Sequence, residues 1–187
     1  MSRSTIAWER LDVPGRDAAE LVSISGGWRL SGRAEFGGHH VEYDVRCGED
    51  WVTESATAAG EGFDVELLRN PAGEWSVNGS KVWEVTGCDD VDFEFSPCTN
   101  TLPIRRLNLA VGEGIVVRAA WLRFPSLALE PFEQRYTRTG EMTYRFESGD
   151  GKFTRDLMVN DAGFVVDYPG LWRAAGSSEG RVDESAT

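Results

Sequence analysis

Residues 115–124 read IVVRAAWLRF, and the alternation within them decides the fold. Val117, Ala119 and Trp121 fall on one side of an extended strand, and Val116, Ala120, Leu122 and Phe124 on the other, so both faces are apolar. Such a strand is covered from both sides, at the centre of a sandwich or a curled sheet. The period of two continues outward. Val41, Tyr43, Val45 and Cys47 share a face, as do Val91, Phe93 and Phe95, and Trp75 with Val77 marks a further short strand.

Turn signals punctuate these runs about every ten residues, among them Gly37-Gly38, Asn70-Pro71-Ala72-Gly73, Gly149-Asp150-Gly151 and Asn160-Asp161-Ala162-Gly163. Only two stretches have helical character. Thr99, Asn100 or Thr101 suits the cap of a short turn with Pro103 near its start, and Asp17 to Val22 is the second; from Leu107 the alternation Leu107, Leu109, Val111 reads as strand again. The expectation is an all-β chain: a single-domain antiparallel β-roll or half-open barrel of about ten to twelve strands with one short helical turn. It spans residues 1–173, and the aperiodic segment 174–187, AAGSSEGRVDESAT, is expected to be disordered. A roll of this kind can enclose a ligand cavity.

With 31 acids against 19 bases the formal charge is −12, opposite in sign to a nucleic-acid footprint, so that partner is excluded. Seven tryptophans serve a core and also suit pockets for apolar ligands and sugars. Cys47, Cys88 and Cys98 are odd in number and lack metal-ligand spacing, which reads as free thiols in a reducing compartment. His39-His40 has no third ligand at a suitable spacing, so neither a metal nor a cofactor is implied. The opening MSRSTIAWERLD has no apolar leader, and no run approaches about 18 apolar residues, so the expected location is the cytoplasm. Nothing in the sequence bears on the oligomeric state.

The densest chemistry lies in residues 87–107, GCDDVDFEFSPCTNTLPIRRL. Asp90 and Asp92 stand two apart on one strand face, with Cα atoms roughly 7 Å apart, in the broad range of paired-carboxylate glycosidases. The competing reading is an ion pair with Arg105 or Arg106, whose guanidinium forks also suit anionic or hydroxyl-rich head groups. Thr99, Asn100 and Thr101 offer hydrogen bonds to a head group or to their own turn. Tyr168 and Trp172 sit near a Pro-Gly turn, placed either to line a barrel mouth or to pack an edge. No known catalytic motif is present, so a binding protein is preferred to an enzyme.

Gly87 to Asp92, Pro97 with the run Thr99 to Leu107, Phe124-Pro125-Ser126-Leu127, Gln134-Arg135-Tyr136 and Asp161 to Leu171 together resemble a family of bacterial and archaeal proteins named for glycolipid binding, formerly a family of unknown function. The resemblance covers Trp8 to about Arg173. It implies a mostly antiparallel spiral β-roll, similar in shape to half-open lipoprotein carriers, with a pocket for a glycolipid or other amphipathic small molecule. On that reading Phe93, Trp121 and Tyr136 are candidates for aromatic walls. Asp90, Asp92, Thr99, Asn100, Thr101, Arg105, Arg106, Gln134 and Tyr168 complete the candidate ligand contacts. The alternatives are a hydrolase of glycosidic or ester bonds using Asp90 or Asp92, and a scaffold with a packed interior that binds a protein on its surface.

Overall fold

A computed structural model describes residues 2–175, and its strands form one continuous, open sheet of fifteen. β1 (Arg3–Arg10), β2 (Gly15–Ile24), β3 (Gly27–Phe36), β4 (His39–Gly48), β5 (Thr53–Gly60), β6 (Phe63–Arg69), β7 (Trp75–Val77) and β8 (Ser80–Val82) zigzag antiparallel toward one edge. A 3-10 turn, Trp83–Val85, then crosses to the opposite edge at β9 (Asp90–Phe93). The chain returns through β10 (Gly114–Leu122), β11 (Leu129–Gly140), β12 (Thr143–Ser148), β13 (Phe153–Val159), β14 (Val165–Tyr168) and β15 (Trp172–Ala174), and β15 pairs with β1. The first and last strands are therefore neighbours in mid-sheet.

The strand count exceeds the expected ten to twelve, and three of the strands, those at Trp75–Val77, Ser80–Val82 and Trp172–Ala174, are only three residues long. One pair departs from the antiparallel pattern. β9 and β10 run parallel, since the connection between them is a 3-10 turn, Pro97–Asn100, continuing into the helix α1 (Thr101–Leu107) rather than a hairpin. Asp17 to Val22 is strand, not helix: Asp17, Ala19 and Leu21 alternate into the core along β2. Beyond Leu107 the chain is loop, turned at Asn108 by a left-handed backbone (φ 42°), and Val111 is exposed. Ala174 lies in β15 and the Ala175 N–H donates to Ala7 O at 2.8 Å; the rest of the expected tail, 176–187, lies outside the described residues. Among the described residues no helix is long and apolar enough to cross a membrane.

The two-faced strand is β10, but only in its second half. Ala119, Ala120 and Leu122 are sealed, whereas Ile115 and Val116 remain exposed. Cross-strand register explains the sealing. Asp90 pairs with Ala119, Asp92 with Trp121, Ala119 with Phe132 and Val117 with Gln134, so these share a face, which receives residues 96–107. Val91, Phe93, Ala120 and Leu122 form the opposite face, where Phe93 meets Tyr43 of β4 edge-on at 5.7 Å. The β9 edge thus lies inside the roll, and the sheet is a spiral.

The GCDD motif is the seam of that spiral. Gly87 N–H donates to Gly73 O, and Thr53 N–H donates to Asp89 O, both at 2.9 Å. Cys88 O accepts from Arg69 Nε and from Trp75 Nε1, also at 2.9 Å each. These bonds tie the far ends of β5, β6 and β7 to β9 and satisfy backbone groups that a bare edge would leave unpaired. Elsewhere Phe124, the first residue of the FPSL run, packs against Phe36 at 5.1 Å, Phe63 at 5.9 Å and Phe95 at 6.1 Å.

Candidate functional site

The interior that a half-open barrel would offer to a ligand is occupied by the chain's own segment 96–107. Ser96 starts it, its hydroxyl accepting from Cys98 N–H at 3.1 Å and donating to Asp17 on β2. Tyr43 donates to the second Asp17 oxygen at 2.8 Å, so one buried carboxyl joins β2, β4 and the inserted segment. Burial pushes the Asp17 pKa up to about 7, against the pull of the Ser96 and Tyr43 hydroxyls. Pro97 at the start of the 3-10 turn and Pro103 in the first turn of α1 occupy positions where no helical N–H is lost.

The charged and polar candidates converge on this insert. Asp90, 1% exposed, receives a bidentate fork from Arg106, with Nε at 3.0 Å and Nη2 at 2.6 Å. Burial raises the Asp90 pKa and Arg106 pulls it part of the way back. Thr99 donates to Asp92 at 3.0 Å while accepting from Phe93 N–H at 3.1 Å, and Gln134 donates to the other Asp92 oxygen. The Asp92 pKa is pushed up to about 6 by burial, with Thr99 and Gln134 opposing. Tyr136 donates to Asn100 Oδ1 at 3.0 Å, and Asn100 Nδ2 donates to Pro97 O at 3.2 Å. Thr101 is fully buried, and its hydroxyl has no partner among the described residues.

The aromatic candidates are dispersed. Phe93 is buried in a stack with Phe95 at 5.0 Å. Tyr168 is buried against Phe146 at 6.1 Å. Trp121 is partly buried between Phe132, stacked at 4.3 Å, and the Arg123 guanidinium at 4.1 Å.

Arg105 differs from the others in facing outward. It borders a groove of about 420 Å³ at the C-terminal end of α1. The groove is mainly polar, with Arg105, Asn108, Arg138, Glu141, Asn160 and Asp161 on it, and its apolar part comes from Met142 and the edges of the buried Ile104 and Val159. Arg105 Nη1 donates to Asp161 O at 3.3 Å, and the guanidinium lies 5.1 Å from the centroid of the Trp51 ring. Gly163 makes room for it. A Cβ there would stand 2.8 Å from Arg105 Cδ, and the backbone is left-handed at φ 88°, so only glycine lets the arginine stem lie against this turn. The turn itself is shaped by Asn160 Oδ1, which accepts from Ala162 and Phe164 N–H groups at 3.1 and 3.0 Å.

A wider trough of about 650 Å³ runs over the outside of β1 to β5. Its arginines are already matched to acids, Arg3 with Glu20, Arg29 with Asp44 and Arg33 with Glu42. It therefore offers a ligand little uncompensated charge.

Asn108, Met142 and Asn160 escaped the reading of the sequence because nothing local marks them; they meet only where the loop after α1 approaches the turns β11–β12 and β13–β14. Asn160 alone carried a signal, as the first residue of a turn motif.

Three comparisons bear on the whole chain. A crystal structure of a DUF1089 family protein from Pseudomonas aeruginosa superposes with a TM-score of 0.71 at 32% sequence identity, covering 84% of this chain and 91% of that one. No curated protein matches the sequence. Residues 5–174 match the family described as "Putative glycolipid-binding", and the chain therefore belongs to it.

Proposed function

We propose that the protein binds a glycolipid or a similar amphipathic small molecule in the groove at the end of α1, not inside the roll. The observation that carries this reading is a groove in which the outward-facing Arg105 and other polar side chains stand beside a smaller apolar strip of Met142 and the edges of Ile104 and Val159. An acyl chain laid on the strip contributes about 0.8 kcal/mol per buried methylene. A head group near Arg105 gains charge-assisted hydrogen bonds of about 1.5–3 kcal/mol each. Family membership supports the same class of ligand.

The hydrolase alternative finds less support. Its carboxylates are engaged, Asp90 by the Arg106 fork and Asp92 by Thr99 and Gln134, so in this proposal both serve to hold the insert in place.

Native mass spectrometry of gently purified protein tests the reading through co-purified lipid. Arg105→Met is expected to weaken binding of that lipid by roughly tenfold to a hundredfold with the fold intact. Unchanged affinity in the folded variant places the ligand elsewhere.

A further inference from the structure

Acids outnumber bases in this chain by 31 to 19, so an arginine without a carboxylate beside it is not short of candidates. In the trough over β1 to β5, Arg3, Arg29 and Arg33 each have one. The groove at the end of α1 differs. Arg105 and Arg138 both line it, and among the described residues neither is paired with a carboxylate; their bonds go to backbone carbonyls instead. Arg105 Nη1 donates to Asp161 O at 3.3 Å, while Arg138 donates from Nε to Gly140 O at 3.2 Å, from Nη1 to Leu109 O at 2.9 Å and from Nη2 to Glu141 O at 2.6 Å. A carbonyl orients a guanidinium without cancelling its charge, and a guanidinium has five N–H groups, so both forks keep donors to spare. Arg118, Arg135 and Arg155 also lack a carboxylate partner among the described residues, but they are spread over β10, β11 and β13.

The groove brings its two arginines together through the backbone. Val159 N–H donates to Met142 O at 2.9 Å, which ties the turn that holds Arg105 to the turn that holds Arg138. Asn160 stands at the same join. Its Oδ1 is taken by the Ala162 and Phe164 N–H groups, so what its amide has left to offer is the NH2 group, a further donor. The carboxylates of the groove, Glu141 and Asp161, belong to exposed residues and pair with neither arginine, so solvent screens them. An oxyanion accepts from several N–H groups at once and supplies the charge that both guanidinium groups lack. We infer that the groove selects an amphipathic ligand whose head group bears a phosphate-class oxyanion, held by Arg105 and Arg138 together. This rests on the groove reading and adds to it the sign and chemistry of the head group. The overall charge of −12 repels anions at a distance, so the selectivity has to come from these contacts.

The test titrates the full chain with decyl phosphate, decyl β-D-glucopyranoside and inorganic phosphate, the first two below micelle-forming concentration, by calorimetry and by the NMR amide shifts of Asn108 and residues 160–163. Decyl phosphate is expected to bind about tenfold to a hundredfold tighter than decyl glucoside and to move those amides. In folded Arg105→Gln this preference is expected to fall by about fivefold or more, and Arg105→Lys, which keeps the charge, to retain most of it. Arg138→Gln also gives up bonds to three carbonyls, so Arg105→Gln, which gives up one long bond, is the deciding variant. Equal affinity for decyl phosphate and decyl glucoside overturns the selection of an anion and leaves the groove reading standing. A preference unchanged in folded Arg105→Gln overturns it too, by placing the phosphate elsewhere. Inorganic phosphate binding as tightly as decyl phosphate upholds the oxyanion contact but removes the apolar strip, and with it the groove reading. Binding of none of the three probes removes both.

Discussion

Asp17 is a carboxyl with no cation partner among the described residues, 1% exposed and held by two hydroxyls between β2, β4 and the inserted segment. Its ordinary pKa of 3.8 applies in the unfolded chain, whereas burial raises it to about 7 in the fold. Between those pH values the folded state retains a proton that the unfolded state has released, so stability falls as pH rises from about 4 to 7 and levels off above. The amplitude is on the order of a few kcal/mol. Urea midpoints measured across this window are expected to drop with pH in the wild type and to drop much less in Asp17→Asn, whose amide is neutral throughout. An Asn variant as steep as the wild type would assign the slope to other groups, Asp92 first, since its pKa is also raised.

The insert formed by the 3-10 turn and α1 is held to β9 by Arg106 and Asp90. Arg106→Met should cost about 3–5 kcal/mol because it strands a buried carboxylate, and Asp90→Asn with Arg106→Met should cost less than the two single changes added together. Strict additivity in that double-mutant cycle would mean the fork contributes nothing. The strands were legible in the sequence because their period of two reflects which side chains are buried: Val41, Tyr43 and Val45 alternate on the page as they do in the core. The insert was legible as a turn but not as the filling of the roll. Its Thr99, Asn100 and Thr101 are polar, and polar residues count as surface until their partners, Asp92 and Tyr136, are seen to sit opposite. The groove was least legible. Arg105, Met142 and Asn160 belong to three separate parts of the chain, and no spacing rule connects them.

Across the whole molecule, cohesion is uneven. β1 to β4 carry long, fully paired ladders in mid-sheet, while β7 and β8 are three residues each and β8 is an outer edge. Hydrogen exchange followed by mass spectrometry is expected to show β7 and β8 exchanging by local opening, and β2 to β4 only with global unfolding. Uniform protection across all of these strands would contradict it. The pairing of β15 with β1 also sets a timetable for synthesis. At ~5–20 residues per second, roughly ten to thirty seconds separate the emergence of Arg10 from that of its partner Trp172. Through that interval β1 presents a strand edge with nothing beside it but β2, and the nascent chain must be kept from pairing with its neighbours on the same messenger.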